Sequence, residues 1–388
     1  MDFQESEDIL AIRDTLRRFI ARECPDSAIQ QWEAQDTIPR EMSVKLGKLG
    51  FSGLCVPEEY GGLGRNVVAM TVVLEELTRC SIALSAIYNM SAGYGGLNIS
   101  ESGTEEQKKR LLPGLLTGEI LFAYGLSEPD VGADLANVKT RAERKGDRVI
   151  VNGSKRWTSG ADVADYIYTL VRSGPPEAKR KNLSFLIIPT NSKGLTITRI
   201  PVMGAHGSST NDVQFQDVEI PFENVVQGEA GWNNAWNILA GPALEIEKLS
   251  PSAIALGQAE AAVAEAWAYS QQRVQGGKRI CGHQAVRHVL SDVQTKLQAC
   301  RLMLRHAAAL VENRQPSAVA TSMAKLFITE NAKEIVLACQ QYVMGAYGYA
   351  QGFNMERYVR DVLVGPIIGG STAIQRNNIA NLMKLPKE

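Results

Sequence analysis

Apolar and polar residues alternate along this chain with two different periods, and the change of period divides the chain into three parts. Apolar residues recur every three to four positions from Ser6 to about Thr117, as in ILAIRDTLRRFIARE, which is typical of amphipathic helices. From Glu119 to about Val226 the period shortens to two, as in RVIVNGSKRW and DVQFQDVEIP, with turn signals between the runs. From Asn233 onward the helical period returns in long, alanine-rich segments.

This pattern predicts an α+β protein of three domains. We expect an N-terminal helical domain over residues 1–118, a middle antiparallel β domain over residues 119–228 and a C-terminal four-helix bundle over residues 229–388. A chain of 388 residues exceeds a single ordinary core. Long helices with one apolar stripe pack as a bundle, and alanine-rich stripes permit close helix contact, so we also expect an oligomer.

Composition and charge exclude several classes of function. The chain has 41 Lys and Arg residues against 42 Asp and Glu residues, which does not favour a nucleic-acid or membrane-surface partner. The six cysteines form no CxxC pair and the four histidines show no ligand spacing, so we predict neither a metal site nor a disulfide framework. The N-terminal sequence MDFQESEDILAIRDTL is acidic and helix-periodic, unlike a signal or transit peptide, and no apolar run is long enough to cross a membrane. We therefore expect a cytoplasmic protein.

The segment FAYGLSEPDVGADLANVKTRAERKGDRVIVNGSKRWTSGA, residues 122–161, combines several groups that can contact a ligand. It offers hydroxyl groups at Ser127 and Ser159 and an aromatic plane at Trp157, beside strands that would hold them in place. Taken alone, these residues fit the entry loop of a β domain better than they fit a binding site.

Other motifs extend this observation over nearly the whole chain. They are PEEYGGLG (57–64), GTEEQKKRLLPGL (103–115), MGAHGSSTNDVQFQDVEIP (203–221), GYAQGFNMERYVRD (348–361) and GGSTAIQR (369–376). Together, and in this order, the motifs resemble those of the acyl-CoA dehydrogenase family. The resemblance implies FAD bound between the middle and C-terminal domains. It also implies α,β-dehydrogenation of an acyl thioester, carried by CoA or a carrier protein, and a homotetramer that passes electrons to an electron-transfer flavoprotein.

The resemblance also assigns roles to individual residues. Residues that match flavin-contact positions are Tyr124, Leu126, Ser127, Trp157, Thr158, Ser159, Gly345, Ser371 and Ala373. Arg273 matches the arginine that reaches the FAD of a neighbouring subunit, with Gln284 close by. Ala133, Glu245 and Lys248 match substrate-binding positions. The protein in such a site orients and tunes the flavin, which carries the chemistry.

The position of the catalytic base departs from the common family pattern. Many members carry a glutamate just before the glycine of EGTSxIQR, and here that position is Gly369. A glycine cannot remove a proton, so either another residue is the base or the reaction needs none. Gly369 keeps the backbone N–H that, in the family, polarises the thioester carbonyl together with a flavin hydroxyl, and a single donor of this kind is typically worth about 3 kcal/mol.

Two carboxylates in GPALEIEKLSPSAIALG (241–257) are candidates for the base. Glu245 and Glu247 lie two residues apart, so they point to roughly opposite sides of a helix. Glu245 has Lys248 at i+3, which favours a solvated ion pair, whereas the face of Glu247 is largely apolar and should raise its pKa. Pro251 should kink the helix beside it. Glu247 also matches the position of the base in isovaleryl-CoA and long-chain acyl-CoA dehydrogenases, and we predict that it is the base here.

Further departures leave the substrate and the reaction direction open. Ala133 replaces a serine of the AGSD motif, Lys248 and His206 replace arginines, Gly276 replaces a phenylalanine and Ala346 replaces a glycine. The same fold could serve enoyl-CoA reduction or desulfination of a sulfinyl acyl-CoA, since some such relatives also carry two glycines at the loop. A non-catalytic thioester-binding scaffold is the alternative from a different class.

Overall fold

The computed structural model describes residues 5–239 and 241–386, and α-helices dominate both ends of the chain. The helices are α1 (Glu7–Glu23), α2 (Asp26–Gln35), α3 (Glu41–Gly47), α4 (Val67–Cys80), α5 (Ile82–Asn89), α6 (Asn98–Ser102), α7 (Glu105–Thr117), α8 (Ala235–Leu239), α9 (Pro242–Gln272), α10 (Gln284–Glu312), α11 (Ala318–Ala338), α12 (Asn354–Val362) and α13 (Thr372–Leu382). Two π-helical segments, Met90–Leu97 and Cys339–Met344, follow α5 and α11 without a break. None of these helices is long and apolar enough to cross a membrane.

The middle of the chain forms one seven-stranded sheet and a separate small hairpin. The strands are β1 (Phe122–Gly125), β2 (Arg141–Lys145), β3 (Arg148–Ser159), β4 (Tyr166–Arg172), β5 (Leu183–Pro189), β6 (Leu195–Arg199), β7 (Thr210–Pro221), β8 (Val274–Gln275) and β9 (Lys278–Arg279). The large sheet has the order β1-β4-β2-β3-β7-β6, with β5 paired to β4. The three-part architecture predicted from the sequence is therefore confirmed.

The expectation of a purely antiparallel sheet was wrong. Strands β1 and β2 both run parallel to β4, while the remaining pairs in the sheet are antiparallel. The reason is topological. In sequence, the β2–β3 hairpin lies between β1 and β4, so the chain crosses over before it forms β4, and a strand formed after such a crossover can pair in parallel. Tyr124 of β1 thereby pairs in register with Tyr168 of β4.

A local sequence signal marks the start of α7. Thr104 and Gln107 form a capping box at the start of α7, in which each side chain accepts from the other residue's backbone N–H. The sequence predicted a helical region over residues 6–117 but did not single out α2, α5 or the glycine-containing π-helical segment Met90–Leu97 as separate elements. That segment packs against β1 and α7, so its close approach to the sheet depends on tertiary contacts rather than on its own periodicity.

Helix α9 is the central element of the C-terminal part. It runs for 31 residues, continues through Pro251 and packs against α4, α10, α11 and α12. One face of the sheet joins the helices in a continuous hydrophobic core, and the other face packs against α7 and α8 in a second core. This arrangement places the N-terminal half of α9 between the sheet and the helical layers.

A buried ionic cluster joins α1 to α4. Arg13 of α1 is only 6% exposed and its guanidinium contacts the carboxylates of Glu5, Glu75 and Glu76. Burial raises the pKa of Glu75 to about 7, although the charge of Arg13 opposes this shift. Arg13 contacts both carboxylates of α4, while Glu76 also pairs with Arg17 and Arg79 and Glu75 lies 3.6 Å from Arg301.

We predict that Arg13→Met destabilises the protein by about 3 kcal/mol, because Glu75 would stay buried with only the more distant Arg301 beside it, whereas Glu76 keeps Arg17 and Arg79. Arg18→Met is the matched control on the same helix, since Arg18 pairs with Asp14 at the surface and such pairs contribute less than about 1 kcal/mol. Denaturant unfolding measures both. Equal losses in the two variants would show that the buried cluster is not the stabilising feature.

Candidate active site

Strand β1 and the residues that follow it form one wall of the candidate site. Tyr124 lies in β1, Leu126 and Ser127 follow it, and all three are partly exposed. A fully buried lysine, Lys155 of β3, holds this segment from beneath. Its Nζ donates to the carbonyl of Leu126 at 2.9 Å and to Oε1 of Glu128 at 2.8 Å. The segment is thereby fixed while its own side chains stay free to contact a ligand.

Trp157 lies at an irregular position of β3. The register between β3 and β7 shifts between Lys155 and Thr158, and Trp157 has φ 65°, in the left-handed region that an aromatic residue rarely adopts. Its side chain is 54% exposed. The neighbouring Thr158 is buried, and its hydroxyl has no hydrogen-bond partner among the described residues, while Ser159 is half-buried at the end of the strand. The bulge presents an indole plane and polar groups along one edge of the sheet.

The loop between α12 and α13 is held by side chains on both flanking sides. Gly369 and Gly370 have φ of 61° and 76°. The Nε2 atom of Gln375 donates to their carbonyls at 3.3 and 3.1 Å, and Nζ of the buried Lys325 donates to the carbonyl of Gly365 at 3.1 Å. The Gly369 N–H forms no hydrogen bond within the described part of the chain. It therefore remains available as a donor.

Helix α13 begins at Thr372, directly after the loop. Ser371 is its N-cap residue, with the side chain accepting from the Ile374 N–H, and Ala373 is exposed in the first turn. The N-terminus of this helix follows directly on the glycine pair.

Glu247 of α9 is enclosed by aromatic and amide groups. The amide Nδ2 of Asn98 lies 3.5 Å from its Oε1 atom, a long hydrogen bond. Tyr124 lies between Tyr94 and Tyr168, with ring centroids 5.4 and 5.7 Å apart, and the Glu247 charge helps raise the pKa of all three phenols, to which burial contributes most. Burial raises the pKa of Glu247 itself to about 7, and the hydrogen-bonding groups of Asn98 and Tyr124 moderate the rise.

The two positions considered for the base converge in space. A Cβ atom placed on Gly369 would lie 2.7 Å from Cγ of Pro251, which is one helical turn after Glu247 on α9. A side chain at Gly369 would thus collide with the helix that carries Glu247, and the positive φ adds strain. The backbone conformation and the position of Pro251 therefore favour glycine at residue 369.

Glu245 forms the predicted ion pair, but in a more buried setting than expected. Nζ of Lys248 lies 2.8 Å from Oε1 of Glu245, and the hydroxyl of Thr321 donates to the other carboxylate oxygen. The side chains of Glu245 and Lys248 are 18% and 7% exposed, so the prediction of a solvated pair was wrong. The cause is α11, which packs over this side of α9.

The remaining predicted residues lie apart from Glu247. Arg273 caps the C-terminus of α9, its guanidinium lies 5.1 Å from the ring centroid of Tyr347, and Gln284 is the first residue of α10. Gly345 follows the π-helical segment Cys339–Met344 and has φ 57°. A Cβ atom placed on Gly345 would have no neighbouring atom within 4 Å among the described residues. Ala133 is exposed in the loop after β1. Each occupies a surface from which a large ligand could be contacted.

Sequence reasoning missed four residues around the proposed site: Tyr94, Asn98, Lys155 and Tyr168. In the sequence, Lys155 and Tyr168 resemble ordinary strand residues, because they become buried only when the strands pair in the sheet. A signal for the other two was present in SAGYGGLNIS (91–100), where three glycines interrupt a helical stretch.

Comparison with known proteins agrees with this geometry. The chain matches the family models "Acyl-CoA dehydrogenase, N-terminal domain" over residues 6–119, "middle domain" over 123–218 and "C-terminal domain" over 234–384. It is 32% identical over 372 residues to an acyl-CoA dehydrogenase of Bacillus subtilis, covering 96% of both chains. The chain belongs to the acyl-CoA dehydrogenase family. Members are flavoprotein oxidoreductases that act on CH–CH groups, and this chain is one of them.

Two further relatives bear on the family's range. The chain is 30% identical to the caffeyl-CoA reductase-Etf complex subunit CarC of Acetobacterium woodii, covering 97% of this chain and 98% of the relative. The structure of butyryl-CoA dehydrogenase from Megasphaera elsdenii superposes with a TM-score of 0.93 at 27% identity and covers 99% of this chain and all of that chain. Acyl-CoA dehydrogenase-like enzymes named for both oxidation and reduction thus share this fold.

The residues of the β3 edge fit the FAD cofactor of the family. The unpaired Thr158 hydroxyl, the exposed Trp157 indole and the accessible hydroxyls of Ser127 and Ser159 are the donor groups and the packing plane that a flavin ring requires. Trp157 adopts its strained conformation at a position where its side chain contributes little to the core, as expected for a ligand contact.

We predict that Ser127→Ala and Trp157→Ala each lower the FAD content or shift the visible absorption of the purified protein, because one removes a hydrogen-bonding group and the other a packing plane. Neither side chain is buried, so circular dichroism and the thermal unfolding of the FAD-free protein should change little. Unchanged FAD content and absorbance in both variants would show that the flavin-contact segment has been misplaced.

Proposed function

We propose that this enzyme removes hydrogen from the α and β carbons of an acyl-CoA thioester, with Glu247 as the base that takes the α-proton. The observation that carries the proposal is the placement of Glu247, half-buried beside β1 and one turn from the helix position that meets Gly369. FAD, when bound, supplies the acceptor for the hydride that leaves the β carbon. All remaining steps concern what the residues of this chain do to the substrate.

The environment of Glu247 suits a general base. A carboxylate with a pKa of about 7 is a stronger base than an ordinary glutamate, and it is still deprotonated in about half of the molecules at neutral pH. No lysine or arginine of the described chain is among the groups that shift this pKa. The side chain therefore keeps its basicity, which a close cation would reduce.

Gly369 supports the same step from the opposite side. An α-proton of a thioester is too weak an acid for a carboxylate unless the carbonyl oxygen is stabilised as charge develops. The Gly369 N–H has no partner within the described residues and belongs to a loop that Gln375 and Lys325 hold in place. A donor that is already oriented stabilises the developing oxyanion without reorganisation. We assign it to the thioester carbonyl.

We further propose that an electron-transfer flavoprotein receives the electrons. The name of the Acetobacterium woodii relative, a subunit of a reductase-Etf complex, supports this assignment. The acyl chain length and the choice between CoA and a carrier-protein thioester stay open in this proposal.

Reduction of an enoyl-CoA is a second candidate that one specific observation favours. Because burial raises the pKa of Glu247, its protonated form can also return a proton to the α carbon. Two relatives of 30% and 31% identity are named as reductases of unsaturated acyl compounds. The two directions use the same residues and differ in the electron partner that drives them.

We also propose a homotetramer in which Arg273 reaches a neighbouring subunit. Arg273 lies beside a surface that exposes large apolar side chains, and such clusters mark interfaces. The exposed residues are Trp267, Val274, Tyr342, Tyr347 and Tyr349.

Sedimentation equilibrium is expected to give four times the chain mass of 42.3 kDa. Tyr342→Glu should weaken the assembly, because Tyr342 is 66% exposed and a buried carboxylate without a partner opposes association. Leu10→Glu, a similar change at an apolar residue that is 52% exposed on α1, is the control. A monomeric parent protein contradicts the proposed assembly.

We predict that Glu247→Gln lowers the rate of flavin reduction by an acyl-CoA about 10²- to 10⁴-fold, because glutamine keeps the size of the side chain and cannot take a proton. Single-turnover mixing with a panel of saturated acyl-CoA thioesters, followed by flavin bleaching without oxygen, measures the step directly. FAD content and thioester binding should be retained.

The matched control is Glu245→Gln, two residues away on the same helix. Its carboxylate is engaged by Lys248 and Thr321, so the variant should reduce its flavin at nearly the parent rate. If Glu247→Gln matches the parent, the base lies elsewhere. If a panel that includes saturated and unsaturated thioesters changes no flavin spectrum, the enzymatic proposal itself fails.

A further inference from the structure

The contact partner of Glu247 lies in the N-terminal part of the chain, 149 residues away in sequence. The π-helical segment Met90–Leu97 joins α5 to α6, and Asn98 is the first residue of α6. A π-helical turn widens the helix and alters which face its following residues present. Asn98 is 2% exposed, so its amide is enclosed by protein.

The Asn98 amide makes three contacts from this position. Its Nδ2 atom lies 3.2 Å from the Tyr94 carbonyl, 3.4 Å from the Gly93 carbonyl and 3.5 Å from Oε1 of Glu247. The two carbonyls belong to the π-helical segment, where the usual i to i+4 pairing is disturbed. The amide group therefore bridges the backbone of this segment and the carboxylate on α9.

We propose that Asn98 is the positioning residue of the base: its amide orients the Glu247 carboxylate and stabilises its deprotonated form. This inference rests on the proposed function, because it assigns Asn98 a role through Glu247. An amide donor favours the charged carboxylate over the neutral acid, and it fixes one oxygen so that the other faces the substrate. Contacts of catalytic groups are often long before the substrate binds, and the 3.5 Å separation agrees with this.

The other groups that face Glu247 are neutral phenols. Tyr94 comes from the π-helical segment, Tyr124 from β1 and Tyr168 from β4. Of these, Tyr124 also lowers the pKa of Glu247, while the Tyr168 hydroxyl has no hydrogen-bond partner among the described residues. On α9 itself, Glu245 and Lys248 pair with each other. Asn98 is thus the partner of Glu247 that can be removed without changing a charged or aromatic group.

The test uses the FAD-loaded enzyme and the variant Asn98→Ser. A serine at this position can still donate to the Tyr94 carbonyl four residues earlier, as Ser100 does to Gly96 at 2.6 Å, but it is too short to reach Glu247. Asn98→Asp is a second variant that keeps the shape of the side chain and adds a like charge. Ser100→Ala is the matched control, since it removes a buried hydrogen bond from the same segment without touching Glu247.

The protonation of Glu247 is followed by infrared difference spectroscopy against Glu247→Gln as the pH is varied. The same variants are mixed with butyryl-CoA, and the rate of flavin reduction is measured against pH. In Asn98→Ser, the midpoint of both titrations should move to higher pH by about one unit, since one hydrogen bond to a charged group is lost. In Asn98→Asp it should move further in the same direction, because two neighbouring carboxylates disfavour ionisation.

A structural role alone predicts a different result, namely lower rates at every pH with an unchanged midpoint. Equal midpoints in the parent, Asn98→Ser and Asn98→Asp would overturn the proposal, as would an equal shift in Ser100→Ala. The infrared titration does not require turnover. It therefore decides the role of Asn98 even if butyryl-CoA leaves the flavin oxidised, an outcome that would count against the proposed function or this substrate instead.

Discussion

The partial burial of a carboxylate that has no cationic partner within the described part of the chain is the constraint around which the candidate site is organised. Glu247 has no lysine or arginine among the groups that shift its pKa, and only neutral donors, Asn98 and Tyr124, stabilise its charge. A charge in such a setting costs free energy, which the rest of the fold must offset. Lys248 follows Glu247 directly in sequence, but it pairs with Glu245, which Thr321 also contacts, so this cation does not compensate Glu247.

Helix α9 makes this arrangement possible because it packs against helices from both ends of the chain. Its contacts with α4, α10 and α11 fix the helix, while Glu247 in its N-terminal turns lies beside Asn98 of α6 and Tyr124 of β1. Pro251 cannot donate a hydrogen bond to the Glu247 carbonyl, and its ring fills the space that a side chain at residue 369 would occupy. Glycine at 369, proline at 251 and glutamate at 247 are therefore mutually consistent choices in one small volume.

The sequence predicted the layers of the fold more completely than it predicted the site. Periodicity located the long helices and most strands, and family motifs located Trp157, Ser127 and the glycine loop. The sequence pattern could not indicate that β1 pairs in parallel with β4, because strand order depends on contacts between distant segments. Asn98 and Tyr168 were missed for the same reason: an amide on a helix and a tyrosine in a strand have no special pattern until the fold brings them to Glu247.

The proposed flavin-contact segment after β1 and the proposed base, Glu247, are held by contacts of different strength. This difference fits their proposed roles. On the flavin side, the buried Lys155 and Glu128 clamp the backbone from beneath, so the segment that follows β1 is a rigid platform. On the side of the base, Glu247 is held by two neutral groups, the Asn98 amide at 3.5 Å and the Tyr124 phenol. A cofactor that stays bound requires a fixed surface, whereas a residue that takes up and returns a proton requires a partner that stabilises its charge only in part. A stronger donor, such as an arginine, at the position of Asn98 would hold Glu247 more firmly and would also remove the basicity that the reaction needs.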